Sequence, residues 1–132
     1  MGKVARAMFA IKSWDEKPYH EAEGLPKLTR SHVVKTFTGD IEGESLLEYL
    51  MVYRADGTAT FVGLERVTGR LGGKSGTFVL QRSGIFDGTV AKESYAVVPG
   101  SGTGELVTLS GDGSSVAGHA KENLMTLEYD LP

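Results

Sequence analysis

No cysteine occurs among the 132 residues of this chain. That excludes a disulfide framework, a thiolate metal site and a cysteine nucleophile, and it fits a reducing compartment, so a cytoplasmic location is expected. There is no basic excess either. The 14 Lys and Arg are outnumbered by 17 Asp and Glu, so no overall field gathers phosphates and no nucleic-acid partner is expected. No apolar run approaches the roughly 20 residues a membrane helix needs, which argues against a membrane partner. The stretch Met1 to Trp14 alternates charged and apolar residues and has no secretory h-region. Met1-Gly2 opens like a myristoylation signal, but Arg6 stands where Ser or Thr is required. Histidine is sparse: His20, His32 and His119 are scattered with no metal-ligand spacing, so no metal is expected.

Cofactor and nucleophile signatures are missing too. Gly72-Gly73-Lys74-Ser75 ends like a phosphate-binding loop, yet Thr68 occupies the place of that motif's first glycine and no helix follows. Gly100-Ser101-Gly102-Thr103-Gly104 lacks the strand before and the helix after that a dinucleotide fold demands. No cofactor is therefore expected. There is no G-x-S-x-G elbow, which removes nucleophilic hydrolysis.

Glycine, in contrast, is plentiful: 18 residues recur between short apolar runs, as turns do in an all-β protein. Val4 to Ser13 reads as a first strand, with Ala5, Ala7, Phe9 and Ile11 on one face, and Trp14 to Tyr19 breaks its pattern. Leu28 to Phe37 alternates again. Glu44 to Tyr53 contains good helix formers, but Arg54-Ala55-Asp56-Gly57 fits a type I turn closed by a glycine, and Thr58 to Val67 beyond it is strand-like. Residues 44–53 are therefore read as a strand. Thr77 to Ser83, Thr89 to Val98, a short strand at Glu105 to Leu109 and a closing strand at Leu124 to Leu131 follow, with Gly111 to Gly118 as loop. About eight strands at hairpin spacing predict one domain, residues 1–132, built as a single closed antiparallel β-barrel.

A hairpin pairing Arg54 with Thr58 sets Met51 opposite Phe61, Tyr49 opposite Gly63 and Leu47 opposite Glu65. One face then carries Tyr49, Met51, Tyr53, Phe61 and Glu65; the other carries Glu48, Leu50, Val52, Val62, Leu64 and Arg66. Both faces are largely apolar, so one is expected to line the interior and the other to pack on a further segment or subunit. Glu48 and Glu65 fall on opposite faces and form no carboxylate dyad. Glu65 among aromatic rings is the candidate catalytic residue, with a pKa expected to rise through desolvation; the alternative is an internal ion pair or hydrogen-bond network that only satisfies a buried charge. Tyr49, Tyr53, Phe61 and Tyr95 are the expected pocket walls, with Gln81 as a hydrogen-bonding group.

SWDEKPY (Ser13 to Tyr19), GDIEGES (Gly39 to Ser45), EYLMVY (Glu48 to Tyr53), DGTATFVGLERVTGRLGGKSGTFVLQ (Asp56 to Gln81), VVPGSGTGEL (Val97 to Leu106) and LEYDL (Leu127 to Leu131) together resemble a bacterial family of unknown function. That family is similar to the allene oxide cyclase-like, calycin-type barrels. The resemblance implies an eight-stranded antiparallel barrel with an internal cavity, commonly in a homo-oligomer, here a dimer or trimer. It also implies a small, largely apolar ligand steered by shape, as in cofactor-independent isomerases or cyclases. The family pattern carries a histidine after the glutamine of the fifth strand, whereas this chain has Arg82, and an arginine stays protonated. The competing expectation is a non-catalytic structural or assembly protein whose barrel is filled by its own side chains.

Overall fold

The computed structural model describes residues 2–132; Met1, half of the Met1-Gly2 signal weighed above, lies outside the described residues. Eight strands run in order: β1 (Lys3–His20), β2 (Lys27–Gly39), β3 (Ile41–Tyr53), β4 (Ala59–Leu71), β5 (Lys74–Phe86), β6 (Ala91–Val97), β7 (Ser110–Ala117) and β8 (Asn123–Asp130). Each pairs antiparallel with its sequence neighbours, and β8 returns to β1 to close the barrel. Closure leaves no continuous open sheet edge, which a meander of this length would otherwise expose. Among the described residues no helix is long and apolar enough to cross a membrane.

Two hairpins fix the register at the centre of the sheet. In the β3–β4 turn Arg54 N–H donates to Thr58 O (2.8 Å) and Gly57 N–H donates to Arg54 O (3.0 Å), with Gly57 at φ 87°. That closure sets Met51 opposite Phe61, Tyr49 opposite Gly63 and Leu47 opposite Glu65, as the turn chemistry predicts. The β4–β5 turn is a two-residue loop, Gly72-Gly73, between paired Leu71 and Lys74; both glycines have positive φ, so the would-be phosphate loop is a hairpin.

Three segments differ from expectation. β1 does not stop at Ser13 but runs to His20, because a bulge between Ile11 and Ser13 inserts one extra residue, Lys12. The insertion shifts the inward phase from odd to even positions: Ala5, Ala7 and Phe9 are buried before it, while Trp14 and Glu16 turn towards interior residues after it. The Glu105 to Leu109 segment is not a strand; a single 3-10 turn, Gly104–Leu106, sits there and plugs one end of the barrel with buried Leu106. The seventh strand lies instead where a loop was expected, at Ser110–Ala117. Its inward positions, Gly111, Gly113, Ser115 and Ala117, offer little side chain, so its apolar periodicity is faint. A Cβ on Gly113 would stand 2.8 Å from the Tyr95 ring and 2.0 Å from Thr126 O. The aromatic ring of β6 thus fills the space that β7 leaves.

The interior is layered. One end holds Phe37, Ile41, Leu71, Phe78, Leu127 and their neighbours in a dense apolar cluster. The other holds Val33, Leu47, Tyr49, Met51, Ala59 and Phe61. Between the two runs a polar belt of buried Lys35, Ser45, Glu65, Arg82 and Glu93.

Candidate functional site

Alternation along the strands projects this belt inward. Lys35 shares its face of β2 with Val33 and Phe37, Ser45 belongs with Leu47 on β3, and Glu65 belongs with Val67 on β4. Arg82 comes from β5, and Glu93 precedes Tyr95 on β6. Glu65 is fully buried, and both of its oxygens are taken. Oε1 accepts from Arg82 Nε at 2.6 Å and lies 2.6 Å from Arg82 Nη2. Oε2 accepts from the Ser45 hydroxyl and lies 3.7 Å from Lys35 Nζ.

Burial by itself would raise the Glu65 carboxyl, but the charges of Arg82 and Lys35, helped by Ser45, hold it below the usual carboxylate range. This corrects the expectation of a raised pKa: Glu65 is a carboxylate paired with two cations. Arg82, buried by the same belt, also lies 3.5 Å from Glu93 and stacks 4.4 Å from the centre of the Tyr95 ring. Its pKa is raised above the ordinary arginine value: burial opposes the charge, and the two carboxylates outweigh burial.

Above the belt the barrel is open. A cavity of about 270 Å³ is walled by Phe9, Trp14, Met51, Tyr53, Phe61 and Phe86, with Lys35, Tyr49 and Glu93 also lining it. β8 pairs with β1 only as far as Phe9 and Asn123, so the later part of β1 stands away from the β7–β8 turn. Ile11 and Trp14 on one side and Ala117 to His119 on the other border the opening. Trp14 rests 6.0 Å from the Tyr49 ring, which meets Phe61 edge-on at 4.9 Å.

Tyr49 donates its hydroxyl to Glu93. Burial, reinforced by the Glu93 charge, raises the phenol well above its ordinary value, so it stays a donor. Tyr53 donates to Glu16 at 2.6 Å, and burial plus that carboxylate raise its pKa as well.

The anticipated site residues therefore separate. Tyr49, Tyr53 and Phe61 line the cavity. Tyr95 faces inward but belongs to the filled half, its hydroxyl donating to Thr126 O at 2.6 Å, and burial pushes its phenol up to about 12. Glu65 is paired with Lys35 and Arg82 and does not line the cavity. Gln81 points outward: it alternates with buried Leu80 and Arg82 and is exposed on the outer surface. There it borders a broad open groove with Leu50, Val62 and Leu64. His32 is likewise outside, bonded to Glu48 together with Arg30. Among the described residues no cluster of His, Asp and Glu is arranged to hold a metal.

A family model described as "Protein of unknown function (DUF3224)" matches residues 5–129. The chain belongs to the DUF3224 family. A solved structure of a DUF3224 protein of unknown function from Shewanella oneidensis MR-1 is 30% identical, with a TM-score of 0.82 over 100% of this chain and 99% of that one. No curated protein matches the sequence.

Lys35 and Glu93 are what sequence reasoning missed in this DUF3224 barrel. Alternation puts Lys35 on the face of Val33 and Phe37 and Glu93 on the face of Tyr95 and Val97. A charge recurring on an apolar face was the available signal. Trp14 was hidden by the bulge.

Proposed function

We propose that this DUF3224 protein binds a compact, largely apolar molecule in the open half of its barrel. The observation that carries the reading is the 270 Å³ aromatic-walled cavity ending on a polar belt. Predominantly apolar walls with a few convergent polar groups are the usual anatomy of a small-molecule site, and this one is at the small end of the range. Isomerisation or cyclisation by confinement, without a cofactor, is the catalytic form of the same proposal, in keeping with the resemblance to allene oxide cyclase-like barrels. The groups able to meet a substrate there are Tyr49, Glu93 and Lys35. Glu65 would act through them by fixing the charges of the belt.

Trp14, the single tryptophan, borders the cavity and reports on it directly. Toluene should change Trp14 emission saturably, and Ala91→Phe, which fills the cavity wall, should abolish the change while the far-ultraviolet circular dichroism stays native. Unchanged emission up to the solubility limit of toluene would refute the binding role.

The outer face supports a second role, self-assembly. Leu46, Leu50, Val62 and Leu64 are each about half exposed on adjoining β3 and β4. Contiguous apolar surface of this kind marks interaction sites. Glu48, bound by Arg30, sits within this row between Leu46 and Leu50 and opposite Leu64, and Arg66 stands opposite Leu46, so the face carries charges of both signs and a second copy turned over it can set acid against base. We assign the face to a homo-oligomer on that ground.

A further inference from the structure

Lys35 is a buried charge held by a single long ion pair. Its ammonium is buried, yet its ion-pair partner Glu65 Oε2 is 3.7 Å away, beyond a good hydrogen bond. Otherwise it stands 4.6 Å above the centre of the Phe9 ring, a contact that supplies no oxygen acceptor. An ammonium has three donors to place, and a lysine lining an apolar cavity with donors to spare is built to receive an acceptor. Burial, followed by the neighbouring charge of Arg82, lowers its pKa, and the carboxylates of Glu65 and Glu93 act in the opposite direction.

The belt also limits what that acceptor can be. Lys35 and Arg82 face Glu65 and Glu93, two bases against two acids. A ligand carboxylate would add a third acid to a balanced buried set, and an unpaired buried charge is strongly unfavourable. A neutral oxygen leaves the balance intact. Resting on the cavity as a binding site, we propose that its ligand is a neutral apolar molecule bearing a carbonyl oxygen, which accepts a hydrogen bond from Lys35 Nζ.

Three molecules of nearly one shape test this by calorimetry on the whole protein: cyclohexyl methyl ketone, isopropenylcyclohexane (C=CH₂ in place of C=O) and cyclohexanecarboxylate. The ketone should bind about tenfold more tightly than the alkene, the worth of one hydrogen bond to a charged donor, and more tightly than the carboxylate. In Lys35→Met the ketone should fall to the level of the alkene, whose own affinity changes little. Equal binding of ketone and alkene by the wild-type protein overturns the carbonyl inference and leaves the cavity standing. Tightest binding of the carboxylate overturns the charge-balance argument. Failure of all three to bind removes the cavity reading itself. The wild-type comparison decides the matter even where Lys35→Met does not fold.

Discussion

At the scale of single residues, Glu65 shows how environment decides chemistry. A carboxylate among aromatic rings would have risen in pKa, but two cations and a hydroxyl reach it first. Glu65→Gln strips one charge from a dry network and leaves Arg82 and Lys35 short of compensation, a change expected to cost about 3 kcal/mol in urea unfolding at neutral pH. Its pH dependence has a definite sign. A carboxyl whose folded pKa is depressed adds stability above its unfolded value, near 4.5, and loses it as pH falls through the lower folded value. The gap between wild type and Glu65→Gln should therefore be widest at neutral pH and shrink in acid below 4.5. A gap independent of pH would show that the charge of Glu65 is not what the fold uses.

At the scale of elements, the informative cases are β1 and β7. β1 changes inward parity at one inserted residue, and no count of apolar spacing survives that shift. β7 owes its place to its neighbours: Tyr95 of β6 lies over Gly113, so the strand is specified by what packs on it. Gly113→Ala sets a methyl group against backbone that cannot yield, with Thr126 O at 2.0 Å, and should destabilise by about 3 kcal/mol. Gly57→Ala is the contrasting case. Nothing lies within 4 Å of its Cβ position, and only the positive φ resists, so about 1 kcal/mol is expected. Thermal unfolding of both variants checks the order; equal losses would mean that Tyr95 and Thr126 can move aside.

At the scale of the whole molecule, the barrel presents two distinct surfaces, a cavity inside and an apolar face outside. One half is filled and capped by Leu106, and the other holds the aromatic-walled cavity. The outer apolar face makes a prediction of its own. The wild-type protein should run as a dimer or trimer in size-exclusion chromatography with light scattering. Leu50→Lys with Val62→Glu should shift it to monomer with its circular dichroism unchanged. A wild-type monomer at all concentrations would end the assembly proposal, with no consequence for the cavity.

Local chemistry determined much of this protein. Turn residues at Arg54 to Gly57 set the β3–β4 register, and from it came the grouping of Tyr49, Met51, Phe61 and Glu65 on one face and of Glu48, Leu50 and Val62 on the other; closure of the barrel turned the first group inward. Hairpin spacing and the absence of a convincing helix led to eight strands and a closed barrel, because period-two alternation and turn preference are properties of neighbouring residues. What only tertiary structure decided is the site. Lys35, Glu65, Arg82 and Glu93 come from four different strands, and each looked like a lone charge on its own face. Only closure of the barrel brings them within one low-dielectric belt, where their mutual attraction sets the ionisation of Glu65 and Arg82 and leaves Lys35 facing the cavity.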